Sequence, residues 1–279
     1  MKKIILLSFI FLATASFSQK KDKIKGSKIV KLEQKEIESF ESIEVEDNLE
    51  VFLVKGNECA LEIEADDNLI EFVDYKLAGN NLRISTSKDI SSYKKLSVRI
   101  TYTDKFNMVI AKDETNVTAL SDVVLDNITF KSFDYAKLFL NAKTKNFTLM
   151  ANDKSKVELN LKSEKTAIDL SKSATVKALI SSNEMRFDMY QKASAEVEGD
   201  INDLKLRLDN NTDFTGKKLA AKNATIELTA YAEGSISVSN IATIDASGNS
   251  ELELFGEPIK YDIKHFTDSA ILRKKPTPK

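Results

Sequence analysis

The chain has 279 residues, with 41 Lys and Arg against 43 Asp and Glu, a formal net charge of −2, and 42% apolar against 30% charged residues. That balance lacks the basic excess of a nucleic-acid binder, and the apolar share suffices for a core, which excludes global disorder. One cysteine, one histidine and eight glycines leave little material for a disulfide framework, a His-based metal site or a glycine-rich phosphate loop.

Residues 1–18 read as a signal peptide. Met1-Lys2-Lys3 is a basic start, Ile4 to Ala13 is an apolar run, and Ser16 and Ser18 make a small-x-small site, so cleavage is expected between Ser18 and Gln19. The run is shorter than the roughly 20 residues that span a bilayer, and no later segment approaches that length, so no transmembrane span is expected. No Cys follows the run to carry a lipid anchor. Loss of Lys2 and Lys3 takes the net charge from −2 to −4. The expected location is outside the cytoplasm: periplasm, outer membrane or cell surface, or secreted. Cys59 has no partner for an intramolecular disulfide, and a small buried apolar role suits it.

Residues 19–35 hold seven lysines and two acids and read as a flexible basic segment leading into a first strand. From Glu36 to Asp74 there are fourteen acids and one base, Lys55. Such a field suits steering of a cationic partner or loose Ca²⁺ binding; the plainer reading is a solvated strand face. Over residues 36–112 alternating apolar positions such as Ile43 and Val45, Val51 and Leu53, and Val98 and Ile100 predict strands at irregular spacing. These are expected to be the opening coils of a repeat array, with hairpin-like excursions at Lys55-Gly56-Asn57 and Gly79-Asn80-Asn81.

Residues 113–262 carry a regular repeat. A small or polar residue followed by alternating apolar positions begins at Ala136, Ser155, Ala174, Ala193, Thr212, Ala232 and Ser250, and Thr115 precedes them. The spacings from Ala136 onward are 19, 19, 19, 19, 20 and 18. A second alternating run falls inside each repeat, as in Phe147, Leu149 and Ala151, then Thr166, Ile168 and Leu170, then Met185, Phe187 and Met189. Two short strands and two turns per repeat are therefore expected, with polar corners such as Asp153-Lys154-Ser155 and Asp209-Asn210-Asn211. One repeat cannot bury its own apolar face, whereas stacked repeats make a continuous core. The fold class this predicts is all-β, a parallel β-helix (β-solenoid) with coils of about nineteen residues. A β-sandwich also has short, evenly spaced strands, but gives no reason for self-similar pairs. Pro258 and the proline-bearing end are expected to stop strand pairing, leaving residues 263–279 as a C-terminal tail.

No catalytic constellation is visible. His265 stands alone, so a Ser-His-Asp triad has no material. Asp209, Asn211 and Asp213 start like a calcium loop, but Phe214 takes the place of its glycine and Ala220 that of its bidentate glutamate. Asn-x-Thr triplets begin at Asn116, Asn127, Asn146, Asn210 and Asn223 and suit corners whether or not they are glycosylated. A carbohydrate-active enzyme needs clustered acids; the outward residues mix Lys, Glu, Asp, Asn and Ser, and sugar stacking would fall to Tyr93, Tyr102, Tyr135, Tyr190 and Tyr231. No catalytic, cofactor-binding or metal residue is assigned.

Phe40-Glu-Ser-Ile43-Glu-Val45, Leu49-Glu-Val51-Phe-Leu53, Leu82-Arg-Ile84, Leu96-Ser-Val98-Arg-Ile100-Thr-Tyr102 and the closing Ser250-Glu-Leu-Glu-Leu-Phe-Gly256-Glu-Pro258 resemble the family of exported bacterial proteins described as putative auto-transporter adhesin, head GIN domain. The resemblance runs from about Phe40 to Asp262. It implies a right-handed β-solenoid of the cell envelope and an adhesin-like role, with no site residues to carry over. The expected function is binding or adhesion without catalysis, to a glycan or envelope protein; the alternatives are a carbohydrate-active β-helix enzyme and a periplasmic structural or sensing module.

Overall fold

In a computed structural model that describes residues 21–276, the alternating runs become strands. The leader expected over residues 1–18 lies outside the described residues. In chain order the strands are β1 (Lys23–Lys25), β2 (Val30–Lys35), β3 (Ser42–Val45), β4 (Glu50–Lys55) and β5 (Ala60–Asp66), then, after a single 3-10 turn at Ile70–Phe72, β6 (Val73–Ala78), β7 (Asn81–Thr86), β8 (Asp89–Ser91), β9 (Leu96–Tyr102), β10 (Met108–Ala111) and β11 (Asn116–Ala119). The regular part follows with β12 (Val123–Ser132), β13 (Lys137–Ala151), β14 (Lys156–Leu170), β15 (Thr175–Met189), β16 (Ser194–Leu208), β17 (Asp213–Leu228) and β18 (Glu233–Ala246), and ends with β19 (Glu251–Phe255), β20 (Lys260–Phe266) and β21 (Ile271–Lys274).

From β12 onward each strand pairs in parallel with its counterpart one coil along. Lys137, Lys156, Thr175, Ser194, Asp213, Glu233 and Glu251 form one ladder, so the sequence period is the coil. The molecule is a β-solenoid with coils of about 19 residues.

One left-handed residue closes each coil: Asp113, Asp134, Asp153, Lys172, Gln191, Asn210, Ala230 and Gly248 all have φ between 54° and 73°. Two positions after each comes the small residue that marks the repeat, from Thr115 and Ala136 to Ala232 and Ser250, at most 1% exposed. The reversal turns that side chain into the corner, where a larger one has no room. Beyond it the core is laddered. Leu149, Ile168, Phe187, Leu206, Ile226 and Ile244 stack at 0–2% exposure, each such side chain contributing roughly 1.5–3 kcal/mol by burial.

The expectation of two strands per repeat is corrected. β13 to β16 each run through 15 residues without a break. At the second corner two successive residues face outward, as at Lys145-Asn146, Glu164-Lys165 and Asn202-Asp203, and the buried phase shifts by one. Pairing lapses for one residue there and resumes. A bend that keeps its ladder needs no turn residue, so the sequence shows only a change of phase.

The opening region is layered out of chain order. β7 and β9 stack under β3 and β4, which stack under β10 and β11. The excursion at Gly79-Asn80-Asn81 is a hairpin joining β6 to β7, with Ala78 opposite Asn81. The one at Lys55-Gly56-Asn57 is not: β4 and β5 both pair with β9, which lies between them. Of the segment expected to be flexible before an entry strand, the described residues 21–35 contribute β1 on β8 as well as the strand β2, which is antiparallel to the acidic β5. Lys31 lies 3.5 Å from Asp67, and Gln34 donates to Glu62 at 3.1 Å, so the basic arm has an acidic partner distant in sequence.

The tail expected from residue 263 is likewise corrected. β20 pairs with β18 and β21 with β19, past Pro258, with a further left-handed corner at Asp268. Pro258 sits between strands, where it costs no ladder bond.

Candidate functional site

The second corner builds a groove along the axis. Thr144, Ser163, Ser182, Ile201 and Ala221 occupy consecutive rungs of its floor. The three hydroxyl residues are short, so the surface dips where they stand. Ser163 and Ser182 are buried yet satisfied: Ser163 Oγ lies 2.5 Å from Thr166 Oγ1 and donates to Ser182 Oγ at 3.1 Å, and Ser182 donates to the Glu184 carbonyl at 3.0 Å. One wall carries Lys143, Lys162, Ser181 and Asp200; the other carries Lys145, Glu164, Asn183 and Asn202. The volume is about 1660 Å³. From Val124 to Ser239 the groove crosses seven coils, and steps of about 4.8 Å give it a length of about 29 Å.

The corner residues are held in ladders. Asn146 donates to Asn127 at 2.8 Å, Asn202 to Asn183 at 3.1 Å, Asn223 to Asp203 at 2.9 Å and Asn240 to Asn223 at 2.8 Å. Three of the Asn-x-Thr asparagines, Asn127, Asn146 and Asn223, thus serve the corner. Lys145 is 2.8 Å from Asp126, whose hydrogen bond and charge push the Lys145 ammonium pKa upward and keep it charged. Lys143 pairs with Asp122 at 2.6 Å, and at the groove's end Lys55 pairs with Asp104 at 2.6 Å. The wall therefore presents fixed amides and mostly paired charges, an arrangement for hydrogen bonding to an extended polar chain.

Residues weighed on sequence grounds are dispersed. His265 Nδ1 meets Asp245 at 2.8 Å on an exposed strand. Asp209 accepts from Thr229 at 2.6 Å and Asn210 is the left-handed corner residue, so the calcium-like segment is a solenoid turn. Among the described residues no cluster of three or more His, Cys, Asp or Glu is placed to hold a metal ion. Tyr102 is buried and stacks on Phe106 at 4.8 Å, which removes it from any sugar platform. Tyr135 and Tyr231 are exposed at the first corner, away from the groove, the former under Lys154 at 5.1 Å. Cys59 is half-buried at the core's margin. Half of the acids of residues 36–74 meet bases, among them Glu44 and Glu46 with Lys112, Asp47 with Lys21 at 2.6 Å, and Glu50 with Lys95 at 2.8 Å. Lys112 above all holds the Glu44 carboxyl below its ordinary range, against partial burial. The groove itself went unforeseen from the sequence; its signal was the run of hydroxyls at one inward position, Thr144, Ser163 and Ser182.

No helix among the described residues is long and apolar enough to cross a membrane. Solved structures share the architecture. A putative adhesin from Parabacteroides merdae superposes with a TM-score of 0.66 at 15% identity, covering 91% of this chain and 98% of that one. A putative lipid binding protein from Parabacteroides distasonis gives 0.64 at 13%, covering 91% and 100%. A putative adhesin from Bacteroides fragilis gives 0.55 at 16%, covering 91% and 97%. At such identities the likeness speaks for the fold alone. No curated protein matches the chain. The family model for the putative auto-transporter adhesin, head GIN domain, matches residues 39–258, from the strands that open the solenoid to the proline after β19, and the chain belongs to that family.

Proposed function

We propose that this chain is an exported, non-enzymatic, adhesin-like protein that holds an extended polar partner, a glycan or an envelope protein, along the axial groove. The observation that carries the reading is the groove's spacing: from Lys143 to Asn240 each coil offers it a lysine or an amide, at steps of about 4.8 Å, which suits a linear ligand better than a compact one. The leader over residues 1–18 and the adhesin family support export. Carbohydrate cleavage is the weaker reading, because Asp104 and Asp126 are engaged by Lys55 and Lys145. Glu164 and Asp200 stand on opposite walls and two coils apart, about 9.6 Å along the axis alone, whereas glycoside hydrolysis needs two carboxyls roughly 5–9.5 Å apart and free to act.

Two measurements test this. Protease shaving of intact cells, with the folded protein first shown to be cleavable in vitro, separates surface display from a periplasmic location. Digestion only after permeabilisation removes the adhesin role. Binding of the purified protein to a panel of linear glycans and envelope fractions is then compared with Lys162→Glu and Lys222→Glu. Weakening that is small singly and accumulates in the double variant fits a distributed groove. Turnover of any glycan, or complete loss on one substitution with the fold intact, defeats the reading.

A further inference from the structure

Both ends of the solenoid close on edge strands. At the N-terminal end β2 and β6 extend the sheets by antiparallel pairing with β5 and β7, and β2 leaves Leu32 56% exposed. At the other end β20 pairs with β18 and leaves its second edge without a partner among the described residues. Its register continues the core ladder: Tyr261 follows Ala242, Ile263 follows Ile244 and Phe266 follows Ala246. Those predecessors are 0–2% exposed, whereas Tyr261 is 45%, Ile263 51% and Phe266 39% exposed. Ile259, at the start of this coil, is 84% exposed. This coil thus carries residues in core register with nothing over them among the described residues.

The sequence of that edge points to its partner. Asp262-Ile263-Lys264 is matched to itself when read in the opposite direction about Ile263. Asp262 then faces Lys264 and Ile263 meets Ile263, and the match ends at the extra residue beyond Ile263. A parallel arrangement would instead set Asp262 on Asp262 and Lys264 on Lys264, and like charges directly opposite oppose pairing. We propose that β20 is the interface of a two-fold dimer in which two copies of this chain join end to end at their C-terminal coils. The pairing is isologous, so it closes at two copies and builds no filament. The charged residues of β20, and the extra residue it carries between Ile263 and His265 relative to β18, oppose unselective edge pairing, while the two-fold arrangement is the one that pairs Asp262 with Lys264 and confines the contact to the segment about Ile263. In the single chain Asp262 already lies 2.9 Å from Lys264; the dimer exchanges that contact for two across the interface. The dimer would also set two axial grooves in line, pointing away from each other.

Sedimentation velocity on protein purified from cells expressing the full chain tests this across a concentration series. The expected result is a reversible dimer. Asp262→Lys and Lys264→Asp, each confirmed folded by circular dichroism, should each raise the dimer dissociation constant at least about tenfold by placing like charges opposite. The double variant D262K/K264D should restore dimerisation, because the exchange keeps the strand self-matched. Ile263→Lys should give monomer. A wild-type protein that stays monomeric, assembly into open-ended polymers, or failure of the double exchange to rescue would each overturn the proposal.

Discussion

The backbone N–H of Asp134 donates to the carboxylate of Asp153 one coil along, at 3.4 Å, and both residues hold a left-handed φ, 56° and 61°. The same link joins Asp47 to Asp113 at 2.9 Å and Asp113 to Asp134 at 3.3 Å. Aspartate tolerates this backbone better than most residues, and here the tolerated side chain also ties each corner to the next. Lys172 caps the run at 2.5 Å from Asp153.

A pH dependence follows from that ladder. The Lys172 ammonium above all holds the Asp153 carboxyl below its ordinary range; burial opposes it, and the Asp134 N–H adds a smaller lowering. A carboxyl depressed in the folded state contributes stability above its unfolded pKa of about 3.9 and loses that contribution as pH falls through the folded value. Urea unfolding at pH 7 and pH 3 should show a larger acid loss for the wild type than for Asp153→Asn. Asp153→Val should cost about 1–2 kcal/mol for the left-handed backbone alone. An equal acid loss in wild type and Asp153→Asn would remove the ladder from the account.

Asp66 should be the costliest carboxylate to remove. It is 0% exposed and accepts from the backbone N–H groups of Lys28 at 2.8 Å, Lys94 at 3.1 Å and Lys95 at 3.0 Å. Burial opposes its ionisation, but those three donors outweigh it and lower its pKa. Asp66→Ala leaves three part-buried N–H groups without their acceptor, each worth up to about 1–3 kcal/mol, so a loss of about 3 kcal/mol is expected. The same change frees the segment around Gly26 to Lys28, and trypsin should then cut first among the lysines of residues 21–35. Unchanged unfolding and unchanged cleavage order would contradict this.

The repeat from Ala136 to Ser250 was legible because its cause is local: a corner residue, a small residue two positions on, then alternation. The left-handed places at Asp153 and Asn210 could be read from their turn chemistry. What escaped was set by partners far along the chain. Nothing near Gly56 shows that β9 will come between β4 and β5, and nothing near Lys31 shows the acidic β5 that pairs with it. The last coil was readable in principle, since Ala270 stands 20 residues after Ser250. The extra residue in β20 between Ile263 and His265 disguised it, because it breaks the alternation that Tyr261 and Ile263 continue. The groove was hidden in residues that alternate as the core does; only their small size marks the floor.

Two glycines separate steric from conformational need. Gly199 has φ 119°, and a Cβ there would overlap the carbonyl oxygen of Ile180 on the neighbouring coil. Backbone cannot yield as a side-chain tip can, so Gly199→Ala should cost upwards of about 2 kcal/mol. Gly79 has φ 62° with nothing within 4 Å of a Cβ, so Gly79→Ala should cost only about 1–2 kcal/mol for the left-handed turn, and Gly79→Asn less. Thermal melts of the three variants check the order, and a Gly79→Ala loss larger than that of Gly199→Ala would refute it.

Buried hydroxyls should divide by whether they are partnered. Ser155 Oγ is enclosed with no hydrogen-bond partner, at a rung whose neighbours above and below are Ala136 and Ala174. Ser155→Ala removes a desolvated polar atom, opens little space and copies the adjacent rungs, so it should be neutral or stabilising by up to about 1 kcal/mol. Ser182, also buried although at the groove floor, bonds Ser163, Thr166 and the Glu184 carbonyl. Ser182→Ala strips partners from two further buried hydroxyls and should destabilise by about 1–3 kcal/mol. The two changes delete the same atom type at similar depth, so urea midpoints of opposite sign would trace the difference to hydrogen bonding. Equal losses at both sites would mean that Ser155 has a partner, such as an enclosed water, and that its rung is polar by design.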